Sequence, residues 1–217
     1  MIDLDGTLVD TAPDLADALN RTLAEFGHPP VSDDTVRMWV GRGGAKLVEQ
    51  GLIEATGAAP DVGAHARVLS RFLGLYKHSI CERSRIYPGV VETLSRLADQ
   101  GLKIVCVTNK REAMTVPLLK KIGLFAHFST VVSGDSQDTM KPEPGPLLNA
   151  CERLETMPRR SVLVGDSDND ILAARAAGMA VIWVTYGNNQ GVDLRSMQPD
   201  ATVDNFADII DVIHRTD

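Results

Sequence analysis

The chain has 217 residues, and its 22 basic and 29 acidic side chains give a formal net charge of −7. Its residues are 44% hydrophobic and 24% charged, an ordinary globular composition that excludes a disordered chain and a collagen. The acidic balance argues against general binding to nucleic acid or to anionic membranes. Three scattered cysteines without a CxxC pair disfavour both a disulfide framework and a zinc site.

The first third of the chain is predicted to be helical. After a strand-like segment at residues 1–10, apolar residues recur every three or four positions and no strand is obvious. This spacing predicts helices over residues 14–26, 33–39, 44–56 and 61–79. We therefore expect residues 11–86 to form a helical insert.

The rest of the chain alternates between short apolar runs and helical patterns. Near-continuous apolar runs suit strands buried on both faces of a parallel sheet. The predicted strands cover residues 102–108, 129–133, 161–164 and 180–185, and the predicted helices cover residues 90–100, 112–122 and 169–177. In the helix that starts at residue 90, the spacing places Val91, Leu94, Leu97 and Ala98 on one side. The fold class is therefore α/β, a doubly wound parallel sheet made from residues 1–10 and 87–217.

Carboxylates lie within the first segment of the chain and directly after one of the apolar runs. Asp3 and Asp5 lie in the first segment, where Gly6 allows a close backbone approach to a ligand, and Asp166 and Asp170 follow the run at residues 161–164. Parallel strands end at a common edge where ligands bind. Two carboxylates about 4 Å apart repel by roughly 4 kcal/mol at an effective dielectric of 20, so such a group needs a cation. Hard oxygen ligands favour Mg²⁺.

Two further polar segments lie where a predicted strand ends or just before a predicted helix begins. Thr108 and Asn109 stand at the end of the run at residues 102–108. Their hydroxyl and amide groups, with the exposed N–H groups of the helix that follows, could form a cradle for an anion. Such a pair alone is usually a helix cap. Lys141 precedes Pro142, before a helix expected to begin near Glu143. Its ammonium could neutralise a phosphate or hold a carboxylate.

Together these segments resemble the haloacid dehalogenase superfamily of phosphohydrolases. The four motifs read DLDGTLVDT, TN, KP and GDSDND, they occur in the order of that family, and the resemblance covers almost the whole chain. It implies a Rossmann-like core, and the position of the insert resembles the subfamily with a helical-bundle cap domain.

The resemblance also implies residue roles. Asp3 corresponds to the nucleophile that becomes an aspartyl phosphate, and Asp5 corresponds to the general acid and base. The implied Mg²⁺ ligands are Asp3, the main-chain carbonyl of Asp5, Asp166 and Asp170. The implied substrate contacts in the core are Gly6, Thr108, Asn109 and Lys141. Because haloacid dehalogenases lack the second aspartate of the first motif, Asp5 indicates a phosphate ester as the substrate.

The cap loop offers a hypothesis about the substrate. The sequence WVGRGG at residues 39–44 resembles the cap loop of phosphoglycolate phosphatases, and Arg42 could contact a carboxylate at two points. A small, doubly anionic molecule such as 2-phosphoglycolate would use this contact. Three alternatives stay open: a phosphatase for another small ester such as a sugar phosphate, a phosphomutase, and a non-catalytic binding protein on the same fold.

The remaining expectations concern partners and location. No apolar stretch reaches the roughly 18 residues of a membrane span, and no signal peptide is visible, so we expect a cytoplasmic protein. The expected partner is a small phosphorylated metabolite, without nucleic acid or membrane, and a homodimer stays open. Only Met1 and Ile2 precede Asp3, so the strand before the first motif is expected to be short.

Overall fold

The computed structural model describes residues 1–188 and 192–214. Over these residues the strands are β1 (Val9–Asp10), β2 (Arg85–Ile86), β3 (Val105–Val107), β4 (Thr130–Val132), β5 (Val162–Gly165), β6 (Ala180–Val184) and β7 (Ala201–Val203). The α-helices are α1 (Ala12–Glu25), α2 (Asp33–Arg37), α3 (Gly44–Thr56), α4 (Val62–His78), α5 (Val90–Asp99), α6 (Glu112–Lys121), α7 (Gly145–Leu154), α8 (Asp168–Ala177) and α9 (Ile209–His214).

The first residues of the chain lie in the middle of the parallel sheet. Ile2 forms parallel bridges with Cys106 of β3 on one side and with Val164 of β5 on the other. Strand β4 pairs with β3, and β5 pairs with β6, which pairs with β7, all in parallel. The order across the sheet is therefore β4, β3, the first residues, β5, β6 and β7. This position brings Asp3 to the centre of the carboxyl edge.

Helices cover both faces of the sheet. Cys106 and Ile182 belong to one apolar cluster, which contains residues of α5, α6 and α9. Val105 and Trp183, their neighbours along the strands, belong to a second cluster, which contains residues of α7 and α8. Successive side chains of a strand point to opposite faces, so the near-continuous apolar runs reflect burial on both sides. The prediction of a doubly wound parallel α/β sheet is confirmed.

Helices α1 to α4 form the insert. Helix α1 packs against α2, α3 and α4, and α3 packs against α4. The two connections to the core meet in an antiparallel pair, with Val9 opposite Ile86 and Asp10 opposite Arg85. Buried Asp14 of α1 accepts hydrogen bonds from the main-chain N–H groups of Arg83 and Ser84, which anchors the return connection to the insert. The domain limits at residues 11–86 stay a prediction.

Several details differ from the sequence-based expectations. Strand β2 was not predicted, because two residues carry no periodic pattern. Val91 and Ala98 were expected on the buried side of α5 but are exposed, whereas Val90 is buried beside Leu94 and Leu97. Helix α7 begins at Gly145 rather than near Glu143, so Pro142 lies in the turn before the helix. Within the described residues, no helix combines the length and apolar character that a membrane span needs.

Candidate active site

Three buried carboxylates meet at the carboxyl edge of the sheet. Asp3 ends the central stretch, Asp166 follows β5, and Asp170 lies in the first turn of α8. Each offers an oxygen within 4.8 Å of the others. The hydroxyl and the main-chain N–H of Ser167 donate to Asp170 Oδ2 at 2.6 and 3.1 Å, which holds that carboxylate at the start of the helix. The predicted group of Asp3, Asp166 and Asp170 is therefore present.

One ammonium faces this group. Lys141 Nζ donates to Asp3 Oδ1 and Asp170 Oδ1, both at 2.7 Å, and to the carbonyl of Val107 at 2.9 Å. Burial lowers the pKa of Lys141, but the attraction of Asp170 and Asp3 more than offsets this effect, so its pKa is raised. Of the two roles proposed for Lys141, the structure shows the contact with a carboxylate.

The three carboxylates carry more negative charge than Lys141 compensates. Burial raises the pKa of Asp3 to about 7, because the attraction of Lys141 is opposed by the nearby Asp170 and Asp5. Burial and the charges of Asp3 and Asp170 also raise the pKa of Asp166, despite its hydrogen bond from the Thr7 hydroxyl at 2.8 Å. One divalent cation would balance the two remaining negative charges, so the donor set fits Mg²⁺.

Close packing at this edge explains a glycine of the first motif. Gly6 has a φ of +95°, which side-chain-bearing residues rarely adopt, and a Cβ atom there would overlap Asp166 Oδ2. A Cβ atom at Gly187, after β6, would overlap both Asp166 and the carbonyl of Gly6. The predicted close approach at Gly6 is therefore an approach to Asp166, and its contact with substrate stays a prediction. Gly187 was not recognised in the sequence.

Asp5 has its own partners beside the three carboxylates. The Thr11 hydroxyl donates to Asp5 Oδ1 at 2.6 Å, and Lys110 Nζ lies 2.9 and 3.1 Å from the two carboxylate oxygens. Burial lowers the pKa of Lys110, but attraction to Asp5 more than offsets this effect, so its pKa is raised. The sequence alone indicates no role for Thr11 or Lys110. Their positions within DLDGTLVDT and directly after TN were the available signals.

The second motif joins three segments of the chain. The Asn109 side-chain amide donates to the carbonyls of Lys141 at 2.9 Å and of Gly41 at 3.0 Å, and its oxygen accepts from the Lys141 N–H at 2.9 Å. The Thr108 hydroxyl accepts from the Lys110 N–H at 3.2 Å. The Asn109 side chain therefore fixes Lys141 and the cap loop. Phosphate binding by Thr108 and by the Asn109 main chain stays a prediction.

A cleft between the core and the helical insert begins at Asp5. Its open space amounts to about 510 Å³, including the part that opens to solvent. Among the residues that line it, the charged ones are Asp5, Lys110 and Arg111. The apolar lining residues include Leu15, Trp39, Val40, Leu47, Leu69, Phe72, Leu73 and Met114.

Arg42, the predicted contact for a substrate carboxylate, is not among the residues that line this cleft. Its guanidinium lies 3.2 Å from the carboxylate of Asp168, at the start of α8, and thereby links the cap loop to the core. A role of Arg42 in substrate binding stays a prediction.

The comparison with known families identifies the chain. The sequence model described as haloacid dehalogenase-like hydrolase matches residues 1–184. The chain belongs to the haloacid dehalogenase-like hydrolase family. The resemblance implies a nucleophile, an acid–base group and metal ligands. The structure brings the residues in these positions, Asp3, Asp5, Asp166 and Asp170, to one edge of the sheet.

Several relatives of this hydrolase that match it along almost its whole length are named phosphoglycolate phosphatases. A phosphoglycolate phosphatase of Nitrosospira multiformis is 44% identical over 216 residues, covering 100% of this chain and 95% of that protein. One of Haemophilus influenzae is 39% identical over 214 residues, covering 97% and 96%. The crystal structure of a predicted phosphoglycolate phosphatase from Haemophilus somnus superposes with a TM-score of 0.92 at 35% identity, covering 98% and 96% of the two chains.

Proposed function

We propose that this hydrolase is a Mg²⁺-dependent phosphatase that acts on 2-phosphoglycolate. The observation on which the proposal rests is the buried group of Asp3, Asp166 and Asp170, which faces the ammonium of Lys141 and lies beside Asp5 at the mouth of a cleft. With a divalent cation bound, such a site would bring positive charge and acid–base groups together around one transferring phosphoryl group.

The carboxylates of Asp3, Asp166 and Asp170 and the main-chain carbonyl of Asp5 would hold the ion. When bound, Mg²⁺ supplies positive charge that offsets the negative charge of the phosphoryl oxygens. Lys141 keeps Asp3 in place through its contacts with Asp3 and Asp170, so the attacking oxygen has a fixed direction.

The reaction divides between Asp3 and Asp5. An Asp3 oxygen attacks phosphorus, the bond between phosphorus and the ester oxygen breaks, and the leaving alkoxide takes a proton from the carboxyl group of Asp5. Water then attacks the phosphorus of the aspartyl phosphate, its proton passes to the Asp5 carboxylate, and phosphate leaves. Thr11 and Lys110 orient Asp5 for both proton transfers.

Two observations support 2-phosphoglycolate as the substrate. Relatives at 39–44% identity over nearly their whole length are named phosphoglycolate phosphatases. The cleft beyond Asp5 is lined largely by apolar side chains. Few polar side chains could therefore bind the hydroxyl groups of a sugar, which favours a small leaving group over a sugar phosphate.

The test is phosphate release from 2-phosphoglycolate, sugar phosphates, nucleotides and pyrophosphate, with Mg²⁺ and with EDTA. We expect kcat/KM to be highest for 2-phosphoglycolate and activity to disappear with EDTA. The matched variant is Asp3→Asn, which keeps the size of the side chain and removes the nucleophile. A higher kcat/KM for another ester would refute the substrate, and full activity in EDTA would refute the metal dependence.

A further inference from the structure

The end of the cleft next to Asp5 contains an isolated set of polar groups. Lys110 is 7% exposed, and its Nζ lies 4.8 Å from the centroid of the Tyr76 ring. The Tyr76 hydroxyl is buried and finds no hydrogen-bond partner among the described residues. A buried hydroxyl without a partner is costly, which points to a ligand that accepts its hydrogen bond.

The position of Lys110 relative to Asp5 limits what this ligand can be. In the proposed reaction Asp5 contacts the ester oxygen, and Lys110 Nζ contacts both oxygens of Asp5. A group attached one carbon away from the ester oxygen therefore lies within reach of Lys110. An ammonium has three donors, so Lys110 can contact a second acceptor beside Asp5.

We propose that Lys110 and Tyr76 form the subsite for the carboxylate of the leaving group, and so determine the specificity for a phosphorylated 2-hydroxy acid. This inference rests on the proposed function and names the residues that select the substrate. The ammonium supplies the charge, and the tyrosine hydroxyl donates a hydrogen bond to the same carboxylate.

The start of α3 supports this assignment. Gly43, Gly44 and Ala45 line the same cleft, and α3 is 13 residues long. The first N–H groups of a helix lack partners within the helix and favour an anion nearby. Most of the side chains that line the cleft around them are apolar, and a charge pair is stronger where fewer water molecules surround it.

The experiment compares two substrates in matched variants. Ethyl phosphate has the two-carbon skeleton of 2-phosphoglycolate and no carboxylate, so the ratio of the two kcat/KM values reports recognition of the carboxylate. We expect Lys110→Met to lower this ratio about 100-fold and Tyr76→Phe to lower it about tenfold. Tyr76→Phe removes an unpartnered hydroxyl, so it tests the subsite without breaking a hydrogen bond of the fold.

The control is Lys103→Met. Lys103 donates to the carbonyl of Leu154, away from the cleft, and its replacement should leave the ratio unchanged. If Lys110→Met lowers kcat/KM equally for both substrates, and Tyr76→Phe does not change the ratio, Lys110 acts only through Asp5 and the subsite is refuted. If the wild type itself does not prefer 2-phosphoglycolate over ethyl phosphate, the proposed substrate fails together with the subsite.

Discussion

At the scale of single residues, Asp3 and Asp5 have separate hydrogen-bond partners. Asp5 shares the first motif with Asp3, but its carboxylate points to different partners, the hydroxyl of Thr11 and the ammonium of Lys110. Lys141 makes the corresponding contact with Asp3. Two separate lysines therefore orient the two carboxylates, so the proposed nucleophile and the proposed acid–base group have separate partners.

We predict that Thr11→Val lowers kcat for 2-phosphoglycolate about tenfold and changes KM little. Valine keeps the volume of threonine and removes the hydrogen bond of 2.6 Å that orients Asp5. Steady-state kinetics measure the effect. The matched control is Thr22→Val, also a buried threonine of this region, whose hydroxyl donates to the carbonyl of Ala18 in α1. An equal loss of kcat in the control would contradict the assignment.

The sequence was sufficient to predict Asp3, Asp166, Asp170 and Lys141 as one group, because each stands at the end of a predicted strand or in a family motif. It was not sufficient for Lys110. Nothing in its local pattern shows that its side chain turns back toward Asp5, since this contact spans 105 positions and depends on how β3 is placed beside the first residues. Only the order of the strands in the sheet shows that Lys110 lies beside Asp5.

At the scale of elements, α2 of the insert is tied to β1 of the core. The Arg37 guanidinium donates to both oxygens of Asp10, at 2.8 and 3.0 Å, and to Asn188 Oδ1 at 3.1 Å. The hydrogen bonds to Asp10 raise the pKa of Arg37 above its usual value, despite partial burial. Because Asp10 belongs to one of the two connections between insert and core, this pair holds α2 against that connection.

We predict that Arg37→Met raises KM for 2-phosphoglycolate by up to about fivefold. A partly exposed, two-point ion pair contributes about 1 kcal/mol, so its loss lowers the ratio of the arrangement with α2 held on β1 to a looser arrangement by about fivefold, and KM rises as the fraction of protein in the first arrangement falls. Steady-state kinetics give KM, and hydrogen exchange of Val9–Asp10 and Arg85–Ile86 reports the loosened connection. Arg71→Met is the control, because Arg71 pairs with Glu25 entirely within the insert. An unchanged KM in Arg37→Met would contradict this account.

At the scale of the whole molecule, the sequence predicted where the strands lie along the chain better than it predicted their order in the sheet. The strands at residues 105–107, 162–165 and 180–184 lie within or next to the predicted runs, since burial on both faces leaves a strong apolar signal. The order of the strands leaves no such signal. The pairing of Ile2 with both β3 and β5 follows only from the assembled sheet, and the two-residue strand β2 is too short for any periodic pattern.

Global stability should respond to pH and to Mg²⁺ together. Burial raises the pKa of Asp3 from 3.8 to about 7, so the folded protein without metal binds protons more tightly than the unfolded chain. Proton binding at Asp3 therefore contributes fully to the free energy of unfolding below about pH 4, and this contribution is lost as the pH rises through 7. A cation that binds the ionised group restores stability.

We therefore predict that Mg²⁺ at about 100 times its Kd raises Tm by several degrees at pH 8 and much less at pH 5. Thermal unfolding at the two pH values measures the difference. The matched variant is Asp3→Asn, in which the effect of Mg²⁺ on Tm should shrink at pH 8. An equal effect of Mg²⁺ at both pH values would contradict the link to the buried carboxylates.

The most direct test of the account is whether phosphate is transferred to Asp3. In a rapid-quench single turnover with enzyme in excess over ³²P-labelled 2-phosphoglycolate and Mg²⁺, we expect label bound to the protein before inorganic phosphate accumulates. The label should be released by hydroxylamine, as an acyl phosphate is, should map to the peptide that contains Asp3, and should be absent in Asp3→Asn. Label on another residue, or phosphate release by Asp3→Asn at the wild-type rate, would contradict the account.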